Sequence, residues 1–214
     1  MSTFLEKRYS NDTFIFGLLL DYNNDEVSDF GLSENLKKQN DVNGFFPNNN
    51  SATYWSSFYF KYGQLNYKNY LVDGAQLNLG LSLVKISSET QKDHTLGQGS
   101  LQYSYYQIFK DHWNFAWQFK FVGSNLTQLQ FLNYIGGFSE VRGYLDGQYY
   151  DQTYWQNNIE QRFDIFESSY LVLQGAFFTD QSKEGKTLNS LIDDQREILL
   201  SSGFGIRFIS PKIF

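Results

Sequence analysis

The feature that most constrains this chain is a strict alternation of apolar and polar side chains. Over residues 112–122 every second residue is aromatic, and the residues between are mostly polar or small. The aromatic positions are Trp113, Phe115, Trp117, Phe119 and Phe121. Because successive side chains of a β-strand point to opposite faces, this spacing predicts a strand with one wholly apolar face.

Seven further segments show the same alternation. They are residues 13–22, 54–62, 74–84, 98–109, 153–165, 170–180 and 198–208. Links as short as residues 110–111 and 167–169 join neighbouring segments, and links of this length join antiparallel strands. No segment has helical periodicity, so we expect no helix of any length. The sequence therefore predicts an all-β fold with about eight antiparallel strands.

The aromatic content indicates the kind of β protein. Phe, Tyr and Trp make up 19% of the 214 residues, and cysteine is absent. Outer-membrane barrels carry aromatic girdles at the membrane interfaces and keep their polar side chains in the lumen. The longest apolar run, residues 14–20, is far shorter than the roughly 20 residues of a membrane helix. A membrane-spanning form of this chain therefore has to be a β-barrel.

The connections between predicted strands alternate in length, as in outer-membrane barrels with long external loops and short periplasmic turns. The long ones cover residues 23–52, 87–96, 124–152 and 181–195, and the short ones cover 110–111 and 167–169. Residues 63–73 are ambiguous, because Leu65, Tyr67 and Leu71 fit a continuation of the flanking strands.

A soluble β-sandwich is the alternative, since its strands also alternate. Its outer face would then be formed by Gln, Asn and Ser with few of the charges that keep a surface soluble. The loop lengths and the chemistry of the two faces favour an antiparallel transmembrane β-barrel. Its lipid-facing aromatic stripe is predicted to be Trp113, Phe115, Trp117, Phe119 and Phe121.

Several function classes have no support in the sequence. The formal net charge is −6 and no basic stripe is present, so we expect no nucleic-acid partner. His94 and His112 have no cysteine or carboxylate at ligand spacing, which predicts no metal site. No phosphate-binding glycine loop and no Ser-His-Asp set can be assembled. We therefore expect no enzyme activity and no cofactor.

The long connection at residues 124–152 contains a glycine-rich stretch with one arginine, Val141-Arg142-Gly143-Tyr144. Three downstream stretches accompany it: residues 158–163 with a glutamate, 175–180 with Phe-x-Asp, and 202–211 with Gly-x-Gly-hydrophobic-Arg and a final Ser-Pro. In this order they resemble the C-terminal β-barrel domain of the BamA and two-partner-secretion transporter superfamily, also called the bacterial surface antigen family. The resemblance covers about residues 141–211.

The resemblance implies that the long loop folds back into the barrel lumen. There Arg142 pairs with Glu160 and Asp180, and with Gly143 and Tyr144 these residues form a lumenal loop lock. Strand parity agrees independently, since both carboxylates lie on the polar face of their predicted strands. Glu160 shares parity with Gln156, Asn158 and Arg162, and Asp180 shares it with Gln174 and Ala176.

The sequence departs from the superfamily pattern in three places. Ser182 replaces the glycine that normally follows Phe-x-Asp, no POTRA-like module precedes the barrel, and two closing strands are missing after residue 211. An eight-stranded barrel has room only for side chains, so a 29-residue loop does not fit inside it. Residues 1–214 are expected to form one outer-membrane domain. Either this domain is part of a wider barrel of about 16 strands, which we favour, or the chain belongs to the short relatives of the superfamily and the loop packs elsewhere.

The resemblance implies a role in the bacterial outer membrane. The predicted function is that of the barrel domain of a factor that inserts or exports proteins across this membrane. The expected partners are outer-membrane lipids and either unfolded outer-membrane proteins or a secreted protein. The alternative is an outer-membrane anchor or secretion pore for a fused or partner protein.

Overall fold

The computed structural model describes residues 2–9, 13–25, 51–88, 94–110, 112–125, 132–137, 140–192 and 197–210. These residues form an all-β fold dominated by one antiparallel sheet, which confirms the predicted fold class at this level. Within them no helix is long and apolar enough to cross a membrane.

The main sheet contains nine strands, and a two-stranded hairpin is inserted in the connection between its sixth and seventh members. The sheet strands are β1 (Ser2–Tyr9), β2 (Phe14–Asp25), β3 (Ser51–Lys68), β4 (Leu71–Ser88), β5 (His94–Phe109), β6 (Trp113–Ser124), β9 (Thr153–Glu167), β10 (Val172–Gly185) and β11 (Leu199–Ile209). The hairpin consists of β7 (Asn133–Ile135) and β8 (Tyr149–Asp151), and one short helix, α1, covers Leu188–Ile192.

Each of the eight predicted strands overlaps a strand of the main sheet, but several strands are longer than predicted. The ambiguous residues 63–73 belong almost entirely to β3 and β4, which meet at a tight turn where Asn69 has a φ of 58°. Such left-handed backbone suits asparagine, because its short polar side chain tolerates this conformation. Most of the predicted loop 23–52 lies outside the described residues.

Three features of the fold differ from the sequence prediction, and the first is the β7–β8 hairpin inside the predicted loop 124–152. β1 was not predicted, because its charged residues Glu6, Lys7 and Arg8 interrupt the alternation. The expectation of no helix was wrong for α1, a single turn whose buried Leu191 packs toward β10. Such a short helix has too few residues to show an apolar period.

The nine strands of the main sheet lie side by side in the order in which they occur along the chain, with β1 at one edge and β11 at the other. No ladder joins β1 to β11 among the described strands, so both present one free edge. Closure into a barrel therefore stays a prediction.

The register gives the sheet two chemically different faces. The first, here called the apolar face, carries Phe16, Leu18, Phe58, Leu81, Trp117, Phe177 and Phe204. Its side chains are largely exposed, for example 63% for Leu81 and 51% for Phe204. The predicted aromatic stripe of β6 lies on this face, where Trp113 and Trp117 are exposed and the three phenylalanines are half-buried.

The opposite face, here called the polar face, is the more deeply buried one. It carries Ser104, Asn114, Gln156, Glu160, Gln174 and Asp180, all of which are buried. Asn114 and Asp180 have no exposed surface at all. Large exposed apolar patches of this kind mark contact surfaces in proteins.

Candidate functional site

The candidate site begins with the chain that connects β7 to β8. The backbone of this connection has a positive φ at several glycines. Gly136 has a φ of 124° and Gly143 a φ of 92°. A Cβ atom at Gly136 would lie 2.2 Å from the carbonyl oxygen of Leu145. Other residues are strained in this region of backbone space, so the glycine-rich sequence is what permits the fold of this connection.

A small apolar cluster places this connection against the polar face of the sheet. Val141 and Ile135 are fully buried and pack with Val122, Tyr154 and Leu199. The predicted site residue Tyr144 packs against the same cluster, and its hydroxyl donates to the carbonyl oxygen of Leu200 at 3.2 Å. Burial of these side chains contributes roughly 1.5–3 kcal/mol each and fixes the position of the next residue along, Arg142.

The structure brings together the three residues that were predicted to pair, Arg142, Glu160 and Asp180. Two guanidinium nitrogens of Arg142, Nε and Nη2, donate to the two carboxylate oxygens of Asp180, both at 2.7 Å. The backbone N–H of Arg142 donates to the same carboxylate at 3.1 Å, and Nη1 donates to Glu160 at 2.5 Å. This is the bidentate geometry in which arginine binds a carboxylate most strongly.

An aromatic ring completes the binding of the guanidinium. The Cζ atom of Arg142 lies 3.6 Å from the ring centroid of Phe178, two residues before Asp180 on the same face of β10. Planar guanidinium groups stack favourably on aromatic faces. Gly203 on β11 provides the space for this ring, since a Cβ atom there would lie 2.6 Å from Cζ of Phe178.

Two further arginines bind Glu160, and the sequence prediction missed both as site residues. Arg162 Nε and Arg207 Nη2 each lie 2.6 Å from Glu160 Oε1. The alternation along each strand puts both arginines on the polar face, and this is the only sign of their role in the sequence. The proximity of Arg207 on β11 to β9 depends on the register between the strands. The five residues Arg142, Glu160, Arg162, Asp180 and Arg207 are here called the arginine clamp.

Amide side chains of β9 hold the connection from the other side. Asn158 Nδ2 donates to Asp180 Oδ1 at 2.9 Å and to the carbonyl oxygen of Glu140 at 2.6 Å. Gln156 Nε2 donates to the same carbonyl at 3.0 Å. The Glu140 carboxylate lies 3.5 Å from Lys120 Nζ on β6. The connection is thus bound to the sheet through its backbone and through its side chains.

The hydrogen bonds of the clamp stabilise the charged form of Arg142. Burial acts to lower the pKa of Arg142, but its hydrogen bonds to Asp180 and Glu160 outweigh burial and raise that pKa further above its usual range. Three arginines face two carboxylates, so the clamp carries one excess positive charge. A polar cavity of about 260 Å³ adjoins it, lined in part by Gln118, Arg142 and Arg207.

Comparison of the chain with protein-family models gives no match, and comparison with curated proteins gives none. The superfamily resemblance and the location of the connection inside a barrel lumen therefore stay predictions.

Proposed function

We propose that this protein is a bacterial outer-membrane barrel domain of a factor that inserts or exports other proteins. The proposal rests on the difference in exposure between the two faces of the sheet. Its apolar face is exposed on strand after strand, whereas Asn114, Gln174 and Asp180 on its polar face are buried. A bilayer is the solvent in which this distribution is favourable, since lipid contacts the apolar face and a hydrated lumen contacts the other.

The dimensions of the sheet support the same proposal. A tilted strand needs about 9–11 residues to cross the hydrocarbon core. The shortest of the strands from β2 to β11 in the main sheet has 11 residues, and the longest have 18. Neighbouring strands of the sheet are paired along ladders, with a register shift between Leu173 and Gln174 in the β9–β10 ladder. Unpaired backbone groups are the main obstacle to placing a chain in lipid.

The arginine clamp supports the more specific assignment. In the superfamily that the chain resembles, the loop arginine pairs with carboxylates of the two following strands, and here Arg142 pairs with Glu160 of β9 and Asp180 of β10. The clamp would hold the connection against the inner wall and keep the sheet rigid. Incoming strands would then pair with a free sheet edge through backbone hydrogen bonds, as in β-augmentation.

Depletion of the intact protein from cells tests this function. We expect the abundance of many unrelated outer-membrane barrels to fall severalfold, because their insertion would lose its catalyst. Outer-membrane lipoproteins, which do not insert as barrels, provide the control and should be unchanged. Quantitative proteomics of isolated outer membranes measures both groups. Unchanged barrel levels would contradict the insertion role, and loss of one secreted protein alone would select the secretion pore.

A further inference from the structure

A second cluster of chemically active side chains lies at the short-turn edge of the sheet, outside the arginine clamp. His112 precedes β6, and Asp164 and Glu167 lie at the end of β9. The backbone N–H of Asp164 donates to the carbonyl oxygen of His112 at 3.0 Å, which fixes the two strands relative to each other. Sequence reasoning missed the cluster, because 52 residues separate His112 from Asp164 and only the β6–β9 register brings them together.

The distances within the cluster suit a shared ion better than direct hydrogen bonds. His112 Nδ1 lies 3.5 Å from Asp164 Oδ2 and 3.7 Å from Glu167 Oε2. Both distances exceed the 2.7–3.2 Å of ordinary N–H···O bonds. Ligands on a tetrahedral zinc ion with bonds of about 2.1 Å are about 3.4 Å apart, which is close to the observed values. All three ligand atoms lie within 4.8 Å of one another.

The central ligand is held in position by neighbouring side chains. The Asp164 side chain is only 4% exposed. The hydroxyl of Tyr70 donates to its Oδ2 at 2.7 Å, and Gln174 Nε2 donates to its Oδ1 at 3.0 Å. Such outer hydrogen bonds orient the ligating carboxylates of metal sites.

We propose that His112, Asp164 and Glu167 bind one divalent transition-metal ion of the zinc class. One imidazole and two carboxylates form a donor set that zinc accepts. Calcium and magnesium prefer oxygen ligands only and do not favour this set. His112 and Glu167 are 61% and 46% exposed, so the ion enters from solvent and keeps water on its remaining position. The bound ion joins the β5–β6 turn to the β9–β10 turn. Tyr70 lies in the β3–β4 turn and links it to the same site through its hydrogen bond to Asp164.

Titration of the purified full-length chain with zinc chloride in a calorimeter tests the site. We expect about one zinc ion per chain, with at least tenfold weaker binding in His112→Asn and in Glu167→Gln. Both side chains are substantially exposed, so these variants are expected to fold. His94→Asn is the matched control, because the chain has only two histidines, and its affinity should equal that of the wild type.

A second measurement separates a site that joins the turns from adventitious binding. Zinc should raise the unfolding temperature of the wild type and of His94→Asn, and leave that of His112→Asn unchanged. Absence of zinc binding above the buffer blank would overturn the proposal. Equal affinities of the wild type and His112→Asn would also overturn it, because the ion would then bind elsewhere.

Discussion

Replacing Arg142 with alanine is expected to lower the free energy of unfolding by about 3–5 kcal/mol, the usual cost of leaving a buried charge without its partner. Most of the lost stability comes from Asp180, because its side chain has no exposed surface and loses both guanidinium hydrogen bonds. Glu160 keeps Arg162 and Arg207 and so loses less. Urea-induced unfolding in detergent or lipid, followed by the electrophoretic shift between folded and unfolded protein, measures the change.

A matched control and a second substitution make the Arg142 experiment specific. Arg8→Ala removes an arginine that is 59% exposed and paired with Glu6, and such surface pairs contribute little to stability, so we expect a much smaller loss than for Arg142→Ala. In the background of Arg142→Ala, changing Asp180 to asparagine should recover part of the loss, since no buried charge then remains unpaired there. Equal effects of Arg142→Ala and Arg8→Ala, or full additivity with Asp180→Asn, would contradict the clamp.

Replacing Leu81 with arginine is expected to destabilise the protein in a bilayer by about 2–4 kcal/mol, the cost of a cation near the membrane midplane. Leu81 lies in the middle of β4 on the apolar face, opposite Phe58 and Gly99, and is 63% exposed. In water an exposed leucine-to-arginine change is nearly neutral, so the size of the effect reports which solvent surrounds this face. Unfolding in lipid vesicles, with the wild type as reference, gives the difference.

Ser100→Arg is the control for Leu81→Arg. Ser100 on β5 pairs with Gly80, the residue before Leu81, and its side chain is exposed on the polar face. Its neighbours Gly80 and Val122 carry no charge that would repel an arginine. We expect a change below about 0.5 kcal/mol, as for ordinary surface substitutions. Equal and small effects at both positions would mean that the apolar face does not contact lipid.

The sheet could be predicted because its information is local. In β6 one small or polar residue separates each aromatic residue from the next, and this alternation alone defines a strand and its two faces. β1 escaped prediction because Glu6 and Lys7 place charges on both faces of the strand. The extensions of β3 and β4 to the turn at Asn69 depend on pairing between the strands, which a single segment does not specify.

The candidate site could be predicted only in part. Parity was enough to put Glu160 and Asp180 on one face, and the arginine motif identified Arg142. Arg207 reaches Glu160 across β10, and Phe178 stacks on the guanidinium only because Gly203 leaves it space. The neighbours of His112 were missed for the same reason. Such contacts depend on cross-strand register, and a shift of one residue would move every side chain to the other face.

The exposure of the apolar face to lipid is the central claim, and the four tryptophans of the chain permit a direct test. Trp117 lies on the apolar face, whereas Trp55 pairs with Asp21 and Val84 on the opposite one. Two variants that retain only Trp117 or only Trp55 would be reconstituted into vesicles of brominated phospholipid, which quenches the fluorescence of an indole in contact with the acyl chains. We expect strong quenching of Trp117 and little quenching of Trp55. Equal quenching of both residues, or quenching of neither, would contradict a membrane sheet with these two faces.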